Sequence, residues 1–240
     1  MQEIFCQVDD IQLLGNDVYQ VKLVSDELTR LPYSAGQYLT LQADGGRWIP
    51  FSIGNAPEET SHLELHIKLI PGHELAELIV DQLKSTKQAH IQIPMGECVL
   101  RDGPRPVVCI VGGTGFSPIK AMLESAFAQQ DPREFYLYWG AAVTSDFYLD
   151  ELPSQWQRQY TNFNYVPVLS GDDAQWQGER GLVHQTAMSQ LSDLANKDFY
   201  ISGSEAMVMA VYHDLLGQGV PKSQIFADML DIKREMGETV

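Results

Sequence analysis

The chain has 240 residues, with 16 Lys and Arg against 32 Asp and Glu, a formal net charge of −16. That length holds two modest domains with material for a core, and the acidity argues against nucleic acid or an anionic membrane surface as the main partner, since both reward clustered Lys and Arg. No segment approaches the ~20 apolar residues that cross a bilayer, and residues 1–8 carry no basic-then-apolar leader, so a soluble, cytoplasmic protein is expected. The three cysteines, Cys6, Cys98 and Cys109, are scattered without a CxxC, which points away from a disulfide framework or a zinc or iron–sulfur cluster. His62 and His66 can share a strand face, but they are too few to hold a metal, and none is expected.

Up to about residue 100 the chain reads as strands. Residues 4–8, 18–24, 37–42, 48–53, 63–69 and 90–93 are short runs rich in Val, Ile, Leu, Tyr and Phe, and in Leu63-Glu64-Leu65-His66-Ile67-Lys68-Leu69 every second side chain is apolar. Gly15-Asn16-Asp17, Ala35-Gly36 and Asp44-Gly45-Gly46 supply turns, so a small antiparallel barrel is expected. One helix interrupts the series over residues 73–83, with Leu75, Leu78, Ile79 and Leu83 on one face, placed to plug the barrel.

Arg101-Asp102-Gly103-Pro104-Arg105-Pro106 is polar and carries two prolines, the best boundary in the chain. It divides a domain of residues 1–102 from one of residues 103–240. Beyond it strands at 106–111, 134–139, 164–169, 198–201 and 224–227 alternate with helices at 117–128, from about 146, at 183–191 and at 204–216. Such alternation makes an open parallel sheet with helices on both faces, whose ligand sits at the carboxyl ends of the strands. Three of those ends carry glycine: Gly112-Gly113-Thr114-Gly115, Tyr138-Trp139-Gly140 and Ser202-Gly203-Ser204. The first reads as a cradle in which glycines let a pyrophosphate approach backbone N–H groups at a helix N-terminus, with Ser117 as cap and Pro118 in the first turn. Alone, the motif is weak and leaves open a tight turn without a ligand, since it lacks both the third glycine of GxGxxG and the Lys-Ser/Thr of a P-loop.

Seven short motifs in order carry a resemblance over essentially the whole chain. They are Gly36-Gln37-Tyr38, Pro50-Phe51-Ser52, Leu65-His66-Ile67, Ile93-Pro94-Met95-Gly96-Glu97, Gly112-Gly113-Thr114-Gly115-Phe116-Ser117, Leu137-Tyr138-Trp139-Gly140, and Tyr200-Ile201-Ser202-Gly203 with Met207. With them the chain resembles the ferredoxin–NADP reductase superfamily, in particular its compact NAD(P)H:flavin oxidoreductases, bacterial flavin reductases of the luciferase-associated type. The resemblance implies a β + α/β fold, an N-terminal antiparallel six-stranded flavin-binding barrel followed by a parallel-sheet nucleotide-binding domain. It implies a flavin (FMN, FAD or riboflavin) against Pro50, Phe51 and Ser52, with His66 and Ile67 nearby, and Ser52 as the catalytic hydroxyl beside flavin N5. It implies NADH or NADPH held by Gly112, Gly113, Thr114, Gly115, Phe116, Tyr138, Trp139, Gly140, Gly203, Ser204 and Met207. The implied reaction is hydride transfer from nicotinamide C4 to flavin N5, with reduced flavin passing to a monooxygenase, luciferase or ferric complex. The alternatives are a flavin-retaining reductase that docks a partner protein and a non-catalytic nucleotide-binding subunit.

Departures from the pattern refine these expectations. Flavin-retaining members have arginine three residues before the serine, where this chain has Ile49; Arg47 shares the strand face only if no bulge intervenes. Flavin is therefore expected as a dissociable substrate. Ser204 stands where cluster-linked relatives place cysteine. Ala141-Ala142-Val143 offers no arginine to an NADPH 2′-phosphate, leaving Arg158 and Arg180, so NADH is favoured. The charged residues 231–240 are expected either to be disordered or to cover the flavin edge.

Overall fold

The computed structural model describes residues 1–28, 31–72 and 74–235. The chain forms two compact units, one of Met1–Leu100 with Ser117–Gln129 and the other of Arg101–Phe116 with Gln130–Val240.

In the first unit, β1 (Gln2–Leu14), β2 (Val18–Val24), β3 (Tyr38–Gln42), β4 (Trp48–Ser52), β5 (Leu63–Lys68) and β6 (Gln88–Met95) form one antiparallel sheet in the order β4-β3-β6-β1-β2-β5. The two outer strands then meet. Ile53 bridges Leu65, and the Gly54 amide donates to the Glu64 carbonyl at 2.7 Å, so the sheet closes into the expected barrel. Period-two alternation turns Ile4, Cys6 and Val8 of β1 and Leu63, Leu65 and Ile67 of β5 into the core. The helix α1 (Glu74–Thr86) adds Ile79, Val80 and Leu83 to that core. Leu78, assigned to the buried face from the sequence, is 61% exposed, and Val80 takes its place. His73, where the predicted helix begins, lies outside the described residues.

The helix α2 (Phe116–Ala128) follows the glycine loop in the chain, and from Ser117 onward it belongs to the barrel unit. Its sequence is mostly apolar, and Ile119, Ala121, Met122, Leu123 and Ala126 are all buried. Three polar residues, Ser117, Lys120 and Ser125, are buried with them.

In the second unit, β7 (Val107–Gly112), β8 (Phe135–Ala141), β9 (Phe163–Leu169), β10 (Glu179–Arg180), β11 (Asp198–Ser202) and β12 (Ile225–Phe226) make a parallel sheet in the order β10-β9-β8-β7-β11-β12. Val108 and Ile110 of β7 pack with α4 (Val183–Gln190), α5 (Glu205–Gly217) and α6 (Asp228–Glu235) on one face. An aromatic layer that includes Trp139, Tyr148 and Trp156 of α3 (Glu151–Gln159) is also buried. The helix expected from residue 146 starts later. Residues 144–146 make a 3-10 turn, and the chain first turns Phe147 and Tyr148 inward against Trp139. The two-residue strand β10 is exposed on both positions and left no apolar pattern to read. Part of the charged C-terminal stretch forms α6, and residues 236–240 lie outside the described residues. The polar linker is tied to the second unit by the Arg101 amide donating to the Tyr200 hydroxyl at 2.7 Å and by Arg105 pairing with buried Asp198 at 2.8 Å.

Among the described residues no helix is long and apolar enough to cross a membrane, and no group of His, Cys, Asp or Glu is disposed to hold a metal.

Gly36 has φ +102, and a Cβ there would stand 2.2 Å from the Met122 methyl and 2.4 Å from the Cys98 carbonyl oxygen. Gly36→Ala should destabilise the protein by about 2–4 kcal/mol in urea unfolding, since backbone strain and overpacking act together.

Candidate functional site

β4 presents the first group of candidates. It pairs only with β3, Ser52 opposite Tyr38 and Pro50 opposite Thr40. Proline suits a strand without a full second ladder, because it has no N–H to give. Pro50 is exposed, and Phe51 and Ser52 are half-buried. Ile49 and Phe51 lean on the margin of the barrel core. Arg47 stands in the turn before the strand, exposed, with its carbonyl accepting from the Ala43 amide at 2.8 Å. The chain leaving β4 is held by Ile53 N–H donating to the Gln37 carbonyl at 3.1 Å, while the Gln37 side chain reaches the Gly96 carbonyl at 2.9 Å.

The β5 candidates sit differently from their expected place beside a ring. Ile67 is 1% exposed within the barrel core, and the His66 side chain is fully covered on the outward face. Neither presents a surface to a ligand. His66 is instead part of a buried charged cluster that the sequence reading missed. Its Nε2 lies 2.8 Å from Glu64 Oε1, so in the neutral ring the proton is assigned to Nε2. Lys120 Nζ of α2 reaches the same oxygen at 3.0 Å, Glu124 at 3.0 Å and the Gly54 carbonyl at 2.9 Å. Burial pushes the Glu64 carboxyl up, but the His66 hydrogen bond and the Lys120 charge outweigh it and hold the group at about 2. Burial depresses His66, which therefore stays neutral, and burial raises Glu124. The available signal was a lysine inside a mostly apolar helix.

The glycine-bearing strand ends lie side by side on β8, β7 and β11, with Gly112 directly opposite Gly140. Most of these glycines are filled by protein. A Cβ on Gly112 would stand 2.6 Å from Met207 Sδ, one on Gly203 2.8 Å from the same sulfur, one on Gly140 2.9 Å from Val183 Cβ, and one on Gly115 2.2 Å from the Ser202 carbonyl oxygen. Only Gly113 of the loop is open, with φ +52 and nothing within 4 Å of its Cβ position. Close packing of two loops therefore explains Gly112 and Gly115, and free backbone is presented at Gly113. Thr114 is half-buried beside it, and Ser204 caps α5, its Oγ accepting from the Met207 amide at 3.4 Å. Phe116, Tyr138 and Trp139 are at most 2% exposed, so they shape the loop from beneath. Phe116 stacks on Trp139 at 4.2 Å, and the Trp139 indole N–H donates to the Gly113 carbonyl at 3.1 Å.

Ser117 is not the helix cap, because α2 already begins at Phe116. Its Oγ is buried without a hydrogen-bond partner, and a Cβ on Gly54 would meet it at 2.9 Å. Arg158 is exposed on α3. Arg180 spends its guanidinium on backbone carbonyls, those of Gly171 at 3.4 Å, Trp176 at 3.3 Å and Asp173.

These residues fit the two expected groups. An exposed proline beside half-exposed Phe51 and Ser52 leaves a surface that could take a flat ring, and the open Gly113 at the loop leading into α2 could take an anion.

Comparison with known proteins agrees with that pairing. Residues 5–99 match the Oxidoreductase FAD-binding domain and residues 109–213 the Oxidoreductase NAD-binding domain. The chain is 33% identical to the NAD(P)H-flavin reductase of Vibrio harveyi over 94% of its own length and 97% of that protein. It is 34% identical to CDP-6-deoxy-L-threo-D-glycero-4-hexulose-3-dehydrase reductase of Yersinia pestis over 93% of its length and 67% of that protein. A solved structure, the Amycolatopsis cytochrome P450 reductase GcoB, superposes with a TM-score of 0.86 at 25% identity, covering 95% of this chain and 69% of that one. The fold and its two matched domains define a flavin- and nicotinamide-nucleotide-binding oxidoreductase. The chain belongs to the ferredoxin reductase-like family that includes the NAD(P)H-flavin reductases.

Gly115→Ala should raise the KM for the nicotinamide nucleotide at least ~10-fold, because the loop must shift away from Ser202. Gly113→Ala should cost only about 1 kcal/mol of stability, the left-handed backbone being its sole penalty. Glu64 and His66 are both lowered in the folded state, so each adds stability above its unfolded pKa and loses it on acidification, His66 first, below about 6.5, and Glu64 below about 4.5. Glu124, raised when folded, acts in the opposite sense. The melting temperature should fall between pH 7 and pH 5, and in His66→Gln that fall should be smaller.

Proposed function

We propose that the protein is an NAD(P)H:flavin oxidoreductase that reduces free FMN, FAD or riboflavin and releases the product, with residues 1–102 taking the flavin and residues 103–240 the nicotinamide nucleotide. The observation that carries this reading is the flavin-side strand. Ile49 packs against the barrel core and Arg47 stands off in the turn, so β4 offers no cation to a flavin phosphate. Without an arginine–phosphate pair, tight retention loses its strongest hydrogen bonds. The 33% identical V. harveyi relative, matched over 97% of its length, is named for this activity.

When both groups are bound, the nicotinamide supplies a hydride and the flavin accepts it. Ser52 then contributes a neutral hydroxyl donor, fixed by the β3 pairing and the Ile53 hydrogen bond, that orients the acceptor without titrating near neutral pH. Gly113 and the amides that follow it take the pyrophosphate. NADH is the preferred donor, because the Arg180 guanidinium is already bonded to three carbonyls beside Asp172 and Asp173. The 240 residues hold three cysteines, all buried and none in a disulfide, too few for an iron–sulfur cluster. Electrons leave as reduced flavin, in the cytoplasm, to an acceptor such as a monooxygenase, a luciferase or a ferric complex. The Y. pestis relative, named as the reductase of a dehydrase, favours a second reading in which electrons pass to a partner protein.

Steady-state oxidation of NADH and NADPH against riboflavin, FMN and FAD tests the proposal. All three flavins should be turned over, with kcat/KM at least ~10-fold higher for NADH, and extensive dialysis should leave the protein colourless. Stoichiometric flavin after dialysis would favour the second reading. Ser52→Ala should lower kcat about 10- to 100-fold with a smaller change in the KM for NADH.

A further inference from the structure

We propose that Lys120 is a positioning residue for the hydride-accepting site, holding the Gly54 peptide and through it the Ser52 hydroxyl. The inference rests on the reading of Ser52 given under Proposed function. Gly54 is clamped on both sides of its backbone. Its N–H donates to the Glu64 carbonyl at 2.7 Å, and its carbonyl accepts from Lys120 Nζ at 2.9 Å. Lys120 is 6% exposed and its ammonium has three acceptors, the Gly54 carbonyl, Glu64 and Glu124, one for each of its protons. Glu64 is fixed in turn, since its amide donates to Asn55 Oδ1 at 2.8 Å and its carboxylate takes His66 at 2.8 Å. Between Gly54 and Ser52 stands only Ile53, locked by its bridge to Leu65 and its bond to Gln37. The Gly54 peptide and the Ser52 hydroxyl are thus joined through a single residue, and the Lys120 bond to the Gly54 carbonyl restrains the one glycine in that link.

Stability alone does not account for a lysine here. A well-packed apolar residue commonly replaces a buried ion pair without loss. What an apolar residue does not supply is a donor to the carbonyl two residues beyond the catalytic hydroxyl. The residues facing Lys120 are Glu64 and His66 of β5 and Glu124 of its own helix, with His62 3.9 Å from the far oxygen of Glu64.

The test compares the full-length protein with Lys120→Met, Lys120→Arg and the neutral pair Lys120→Gln/Glu64→Gln. In protein without added flavin or nucleotide, amide hydrogen exchange at Ile53 and Gly54 should accelerate ~10-fold or more in Lys120→Met and recover in part in Lys120→Arg. With NADH and flavin, kcat of Lys120→Met should fall ~10-fold or more while the KM for NADH stays within about 3-fold, and adding Ser52→Ala should cost less than the product of the single losses. Exchange and kcat both at wild-type levels in Lys120→Met would overturn the inference. So would fully multiplicative losses with Ser52→Ala, or failure of both Lys120→Met and the neutral pair to fold, which would make the cluster a stability device. Failure of the wild type to oxidise NADH with any flavin would instead strike the functional reading, and the exchange measurement would still report the hold of Lys120 on Gly54.

Discussion

The hydrogen bond from the Gly54 amide to the Glu64 carbonyl, together with the Ile53–Leu65 bridge, is where a six-stranded sheet becomes a barrel. β4 cannot close it by a regular ladder, because Pro50 lacks an N–H and the strand ends at Ser52. Closure falls to the residues just past the strand, and side chains complete it. Asn55, 2% exposed, bonds the Glu64 amide with its oxygen and the Glu59 and His62 carbonyls with its nitrogen. The strand is thereby open to solvent at Pro50 and held by hydrogen bonds immediately after Ser52.

α2 reinforces the same place. A helix buried on all sides has little latitude for polar residues, and each one it carries has an assignment in the barrel unit or a vacancy. Ser125 donates to Glu58 at 2.9 Å, and Lys120 is saturated by its three acceptors. Ser117 alone of the three has an unpaired buried oxygen, which carries a desolvation cost of about 1–3 kcal/mol in the free protein.

Much of this was legible in the sequence where periodicity or chain order carried it. The alternation of Leu63 to Leu69 gave the inward face of β5, and the run from Val107 to Val111 ending at glycine gave β7 and its loop. The same alternation hid the role of Glu64 and His66, because a polar face reads as solvated until another element covers it, and the helix that covers it lies more than fifty residues on. Trp139 and Phe116 stood in motifs read as a ligand site, yet both lie within the core, a distinction that residue type alone does not make. Leu78 was misplaced and Val80 overlooked for a simpler reason: a helix spanning residues 74–86 can turn several faces inward, and the barrel selects one.

Gly112 ends β7 and Gly203 follows β11, yet the space beside both is taken by one sulfur atom, that of Met207. The two loops are thus written in a shared vocabulary of size. A methyl group gained at either glycine needs the Met207 side chain to swing aside or to be replaced by a smaller one, and the same movement serves both positions. One side chain thus sets how closely the chain after β7 and the chain after β11 approach each other.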